Sequence, residues 1–127
     1  MKEVMAVIRI NMINKTKEAL LQAGFSSVTC RKVLGRGKKK IDFSLIKDFI
    51  SPSEIDSPQI AEQISEGHRL VPKRMLTMVI EEEQVEKAVQ TIIDINSTGN
   101  PGDGKIFVLP VMDAIRVRTG ETGEEAI

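Results

Sequence analysis

The chain has 127 residues, 41% of them hydrophobic, which suits the core of one domain and is too short for two ordinary ones. Its 18 basic and 18 acidic side chains cancel, so no global field draws it toward nucleic acid or a membrane surface. A single cysteine, Cys30, excludes an intramolecular disulfide and fits a reducing compartment.

Four Phe with no Trp or Tyr predict an aliphatic core. The start, Met1-Lys2-Glu3-Val4-Met5, opens no signal-peptide run. No apolar stretch approaches the ~18 residues of a membrane span. A soluble, cytoplasmic protein without membrane insertion is expected.

In chain order, residues 4–10 alternate as a strand, with Val4, Ala6, Ile8 and Ile10 on one face and Met5, Val7 and Arg9 on the other. Residues 15–23 read as a helix, with Asn14 as N-cap, Ala19, Leu20 and Ala23 as its apolar face and Gly24 as terminator. Residues 25–34 carry the β-favouring Val28, Thr29, Val33 and Leu34 and read as a second strand. Met75–Ile80 is a continuous apolar strand. The spacing of Val85, Ala88, Val89, Ile92 and Ile93 predicts a helix over 82–96, with Glu81, Glu82 and Glu83 at its positive end. A last strand region, 105–118, is expected to bend at Pro110, and Glu121–Ile127 reads as a polar tail.

Strand, helix, strand, long insert, strand, helix, strand is the ferredoxin-like βαββαβ order, an α+β fold in which two helices cover one face of an antiparallel sheet. The whole chain, 1–127, is read as a single domain. The insert, about 36–72, far exceeds the usual connection of about 4–6 residues. It contains Pro52, Pro58 and Pro72, a helix-like spacing over Phe43–Ile50 and a further helical turn at 59–66. It is either a solvated insertion or, as its Phe and Ile residues favour, a loop that orders on a partner.

Chemistry is most legible at Thr98-Gly99-Asn100-Pro101-Gly102-Asp103-Gly104-Lys105. Glycines allow successive backbone N–H groups to converge on an anion, and the lysine adds a positive charge. Arg116 and Arg118, two apart, are expected to share one face of a strand. Together these groups make a candidate polyphosphate site. Each also has an ordinary reading, as a helix-to-strand turn and as a solvated sheet face. No Walker A spacing occurs.

Gly35-Arg36-Gly37-Lys38 is a second basic turn and leaves a nucleic-acid module open. Against that module stand the neutral total charge and the absence of stacking aromatics, with Val28, Thr29 and Val108 expected at the central-strand positions where RNA-binding relatives of this topology place them. His68 and Cys30 lack metal-site spacing, and Asp42, Asp48 and Asp56 are scattered.

Thr98-Gly99-x-x-Gly102-Asp103-Gly104-Lys105-Ile106-Phe107-Val108 resembles the signature that joins the second helix to the last strand in the PII family of nitrogen regulators. Ile115-Arg116-Val117-Arg118-Thr119-Gly120-Glu121 resembles that family's C-terminal signature. Glu18-Ala19-Leu20, Gly24, Val33-x-Gly35-x-Gly37 and Pro72-Lys73 extend the likeness over nearly the whole chain.

The resemblance implies a trimer with ATP or ADP in each cleft between subunits. It assigns Thr29 to the adenine, Gly35, Gly37 and Lys38 to the loop base beside the nucleotide, and Gly102, Asp103, Gly104 and Lys105 to the phosphates. Arg116 and Arg118 would come from the neighbouring subunit, and Lys73 would meet 2-oxoglutarate. Lys38 stands where the family usually has Arg, so charge survives without bidentate geometry.

Lys39 stands at the second 2-oxoglutarate position, where the family has a Mg²⁺-ligating Gln, and a charged lysine has no lone pair to give. Mg²⁺ is thereby left without that ligand. The absence of tyrosine excludes regulation by tyrosine uridylylation.

The extended insert resembles that of PII-like proteins encoded with archaeal nitrogenases, which implies a regulator rather than an enzyme, with dinitrogenase as target and a paralogous PII-like subunit as a possible second partner. Rival readings are an ammonium transporter or glutamine synthetase as target, a slow nucleotide hydrolase, and the nucleic-acid module.

Overall fold

Alternation places Val4, Ala6 and Ile8 on one face of β1, Lys2–Ile8, and all three are buried. The computed structural model describes residues 1–37 and 70–127. In β3, Val71–Ile80, the same period of two buries Leu76, Met78 and Ile80. These two strands pair antiparallel, Ala6 opposite Leu76 and Val4 opposite Met78, so their apolar faces merge.

The helices α1, Ile13–Gln22, and α2, Val85–Asn96, lie across that face and contribute Leu20, Ala88 and Ile92. Burying each large aliphatic side chain is worth roughly 1.5–3 kcal/mol, so this two-layer contact is the main source of stability. Among the described residues the aromatic Phe25 joins the core, which is therefore not purely aliphatic.

β2, Thr29–Gly35, and β4, Lys105–Pro110, complete a four-stranded antiparallel sheet in the order β2-β3-β1-β4. The expected α+β, ferredoxin-like βαββαβ architecture is observed, with the long connection between β2 and β3.

Several boundaries differ from the sequence expectation. β1 stops at Ile8, because Arg9 leads into a 3-10 turn, Ile10–Met12, that runs directly into α1. Asn14 therefore lies inside the first turn of α1 and does not cap it. Gly24, at φ +101°, ends that helix as expected. β2 begins only at Thr29, and β3 begins four residues before Met75, so Pro72 belongs to a strand and not to the insert. Thr29 and Val108 sit on the edge strands β2 and β4, and Val28 precedes β2; the central strands are β1 and β3.

The largest correction is at the C-terminus. β4 ends at Pro110, so Arg116 and Arg118 do not share a strand face. The chain folds back on itself instead: Ile115 bridges Thr122, the Gly120 N–H donates to the Arg116 carbonyl at 2.7 Å, and residues Gly123–Ala126 form a 3-10 turn. The helical readings at 43–50 and 59–66, and His68, fall outside the described residues. Among the described residues no helix is long and apolar enough to cross a membrane.

Candidate functional site

The antiparallel pairing brings four chain segments to one end of the sheet. β1 ends there, with Ile8 opposite Arg74; β3 begins there; β2 ends there, with Gly35 opposite Val71; and β4 begins there, with Lys105 opposite Val7. The turn between α2 and β4 closes this end.

Asp103 organises the turn. Its Oδ2 accepts the Thr98 N–H at 2.7 Å and the Gly99 N–H at 3.1 Å, while its Oδ1 accepts the Thr98 hydroxyl and Arg9 Nη1, the latter at 2.6 Å. A carboxylate facing two backbone N–H groups at the end of a helix folds the following residues into a tight ring, reinforced by the Asn100 N–H donating to Thr98 Oγ1 at 3.2 Å. Partial burial works to raise the Asp103 pKa, but the Thr98 side-chain and backbone donors and the Arg9 guanidinium outweigh it and lower the pKa to about 2.

Arg9, from the end of β1, is the residue that sequence reasoning missed. Alternation put it on the outer face, yet its side chain is only 5% exposed. Besides Asp103 it donates from Nη2 to the Pro101 carbonyl at 3.0 Å. A basic residue directly after a buried strand was the available signal, but its partner lies 94 positions away.

Two glycines of the turn hold left-handed backbone that other residues rarely adopt, and at Gly104 a side chain would also meet backbone. Gly102 has φ +98°, and a Cβ there would lie 3.3 Å from Arg9 Nη2. Gly104 has φ +122°, and a Cβ would lie 2.2 Å from the Val7 carbonyl oxygen, well inside contact distance. Gly104 thus lets the turn lie directly on the β1 backbone.

Lys73, near the start of β3, donates from Nζ to the Gly102 carbonyl at 3.0 Å. Burial lowers its pKa, and the neighbouring Arg9 charge lowers it further, against the opposing pull of Asp103. Among the described residues, no turn or loop hydrogen bond engages the N–H groups of Gly102, Asp103 or Gly104. Lys73 on β3 reaches this turn directly and Lys105 follows it as the first residue of β4, and backbone N–H groups borne by glycines are the kind of donors an anion takes. The Arg9 guanidinium neutralises the Asp103 carboxylate that would otherwise repel an anion here.

The structure therefore brings together Lys73, Gly102, Asp103, Gly104 and Lys105, with Gly35 at the adjoining end of β2 and Gly37 just beyond it. Asp103 serves through its side chain as an internal brace. Thr29 lies on the same edge strand, opposite Thr77. Arg116 and Arg118 are not part of this cluster's chain segments: β4 carries the chain to Pro110, opposite Lys2 at the far end of the sheet. Arg116 there donates to the Glu125 carbonyl at 3.0 Å and lies 3.6 Å from Glu121, while Arg118 is exposed. Lys38 and Lys39 lie outside the described residues.

No group of three or more His, Cys, Asp or Glu side chains among the described residues could hold a metal ion. Both Asp103 oxygens are engaged by hydrogen bonds within the turn and to Arg9.

Comparison with known proteins agrees with this fold. The family model described as "Nitrogen regulatory protein P-II" matches residues 1–121. The chain is 44% identical over 128 residues to a "Nitrogen fixation nifHD region GlnB-like protein 2" of Methanobacterium ivanovii, covering 100% of this chain and 99% of that protein. It is 46% identical over 130 residues to the protein of the same name from Methanothermococcus thermolithotrophicus, covering 100% and 98%. Among solved structures, the Arabidopsis thaliana PII protein bound to citrate superposes with a TM-score of 0.71 at 36% identity, over 99% of this chain and 91% of that one. A family model matched over residues 1–121, a shared fold and this level of identity over the full length leave one conclusion: the chain belongs to the PII family of nitrogen regulatory proteins.

Proposed function

We propose that this protein is a nitrogen-signal regulator that binds ATP or ADP at the turn between α2 and β4 and acts on a partner through the segment between β2 and β3. The observation that carries this reading is the Gly102–Lys105 turn itself, with two glycines at positive φ, one seated on the β1 backbone, and with Lys73 and Lys105 beside it. A polyphosphate would take the glycine-borne N–H groups and the Lys105 charge. Loss of the terminal phosphate in ADP would remove part of that contact, so the two nucleotides would favour different arrangements of the site. Lys73 would exchange the Gly102 carbonyl for a carboxylate of 2-oxoglutarate, a stronger, charge-assisted partner.

A homotrimer is part of the same reading. β4 is an edge strand whose Phe107 and Val108 are each 46% exposed, and Met112 and Val117 beyond it are 99% exposed. Such a run of apolar side chains on and beyond an edge strand favours burial against another copy of the chain. Arg116 and Arg118, remote from the turn in their own subunit, would then reach the turn of a neighbour. The names of the archaeal relatives, which place them in a nitrogen fixation region, support nitrogenase as the regulated partner.

Calorimetry with ATP, ADP and 2-oxoglutarate tests the ligand reading. Binding of ATP, with 2-oxoglutarate altering its affinity, is the expected result; no ATP heat at millimolar concentration overturns it. A pull-down of dinitrogenase by the full chain, lost when residues 43–66 are deleted, tests the partner.

A further inference from the structure

We infer that Arg9 is a positioning residue of the nucleotide site, which holds the Pro101–Asp103 backbone in its anion-receiving shape through one guanidinium bonded to both the Pro101 carbonyl and the Asp103 carboxylate. This rests on the reading of that turn as a phosphate site and deepens it. The two bonds, 3.0 Å from Nη2 and 2.6 Å from Nη1, span the turn on either side of Gly102. Gly102 itself sits against the guanidinium, since a Cβ there would lie 3.3 Å from Nη2. Arg9 follows β1 immediately, so the clamp ties the turn to a strand at the centre of the sheet.

Asp103 completes the device from the other side. Its carboxylate holds the Thr98 and Gly99 N–H groups, so displacement of Asp103 is passed to the start of the turn. Arg9 acts on the ligand only through this backbone. The planar fork of a guanidinium can reach two differently placed acceptors at once, which the single ammonium of a lysine does poorly. A mispositioned turn loses converging N–H donors, and small displacements of such donors are costly to anion binding.

The test is ATP calorimetry on the full chain, comparing the unsubstituted protein with Arg9→Gln, Arg9→Lys, Asp103→Asn and the Arg9→Gln/Asp103→Asn double variant. Thermal midpoints and light scattering are recorded on the same samples. Arg9→Gln and Asp103→Asn are each expected to weaken ATP about tenfold, and the double variant to bind no more weakly than the worse single one, because the pair acts as a unit. Arg9→Lys keeps the charge and loses the second bond, so it is expected to fall between unsubstituted protein and Arg9→Gln.

Losses that add in the double variant, or an Arg9→Gln affinity equal to that of the unsubstituted protein, overturn the inference while the nucleotide reading stands. Failure of the unsubstituted protein to bind ATP overturns that reading and this inference with it. Should Arg9→Gln not fold, Arg9→Lys decides, and an affinity equal to that of the unsubstituted protein overturns the inference.

Discussion

Arg9 Nη1 lies 2.6 Å from Asp103 Oδ1, a contact that joins the end of the first strand to a turn 94 positions later. Both side chains are largely withdrawn from solvent, at 5% and 24% exposed. That pairing determines how the turn responds to acid.

The folded state holds the Asp103 pKa at about 2, below its ordinary 3.8. A lowered carboxyl pKa means that the ionised form favours the fold. Its contribution is fully present above pH 3.8 and is lost as pH falls through about 2. Urea midpoints of the unsubstituted protein and Asp103→Asn should differ most at neutral pH and converge toward pH 2. A gap that is constant with pH would refute the assignment.

Gly104→Ala should cost more than Gly102→Ala. At Gly104 the new Cβ meets backbone oxygen 2.2 Å away, at Val7, so both strain and overlap must be relieved by moving β1 or β4. A cost above about 2 kcal/mol is expected in denaturant titration. At Gly102 the nearest atom is the tip of a flexible side chain at 3.3 Å, so the fold should survive with about 1–2 kcal/mol of backbone strain while the Arg9 bond to Pro101 is disturbed.

The two helices are registered by a buried polar pair. Asn96 Nδ2 donates to Thr16 Oγ1 at 3.0 Å and to the Ile92 carbonyl at 2.9 Å, and the Thr16 hydroxyl donates to the Met12 carbonyl at 2.6 Å. Thr16→Val removes the acceptor between α1 and α2 at nearly constant volume. A loss of about 1–3 kcal/mol is expected, measurable by thermal or urea unfolding. Asn96 ends the helix that leads into the turn, so the exchange of the Gly99 amide should quicken in the same variant.

Lys73→Met should abolish the effect of 2-oxoglutarate on ATP affinity while leaving ATP binding itself within a few-fold. The methionine keeps an unbranched side chain only one atom shorter and removes the charge that now rests on the Gly102 carbonyl. Calorimetry in the presence and absence of 2-oxoglutarate checks this. An unchanged 2-oxoglutarate effect would remove Lys73 from the site.

Phe107→Glu should lower the oligomeric state without melting the helices. Phe107 lies on β4 opposite Met5 and is 46% exposed, so the substitution leaves the core cluster intact and puts a charge on the apolar sheet edge. Light scattering should show dissociation, while the far-ultraviolet spectrum stays the same. An unsubstituted protein that is already monomeric would refute the trimer.

Local pattern made much of this protein legible from its residues. The alternation in Val4, Ala6 and Ile8, the helical spacing from Val85 to Ile93 and the glycines around Asp103 are short-range signals, and short-range sterics and burial decide their outcome. They led to the element order, the ferredoxin-like class and the position of the turn, and the matched motifs led to the family. Tertiary structure decided what those signals do not encode. It moved Arg9 from an expected outer face into the turn, because a buried guanidinium must find acceptors and the nearest ones belong to a distant segment. It ended β4 at Pro110 and folded Arg116 into its own C-terminal turn, because the ladder with β1 runs out at Lys2. It also set β2 and β4 at the sheet edges, since strand order follows from which faces the two helices must cover and not from the composition of any one strand.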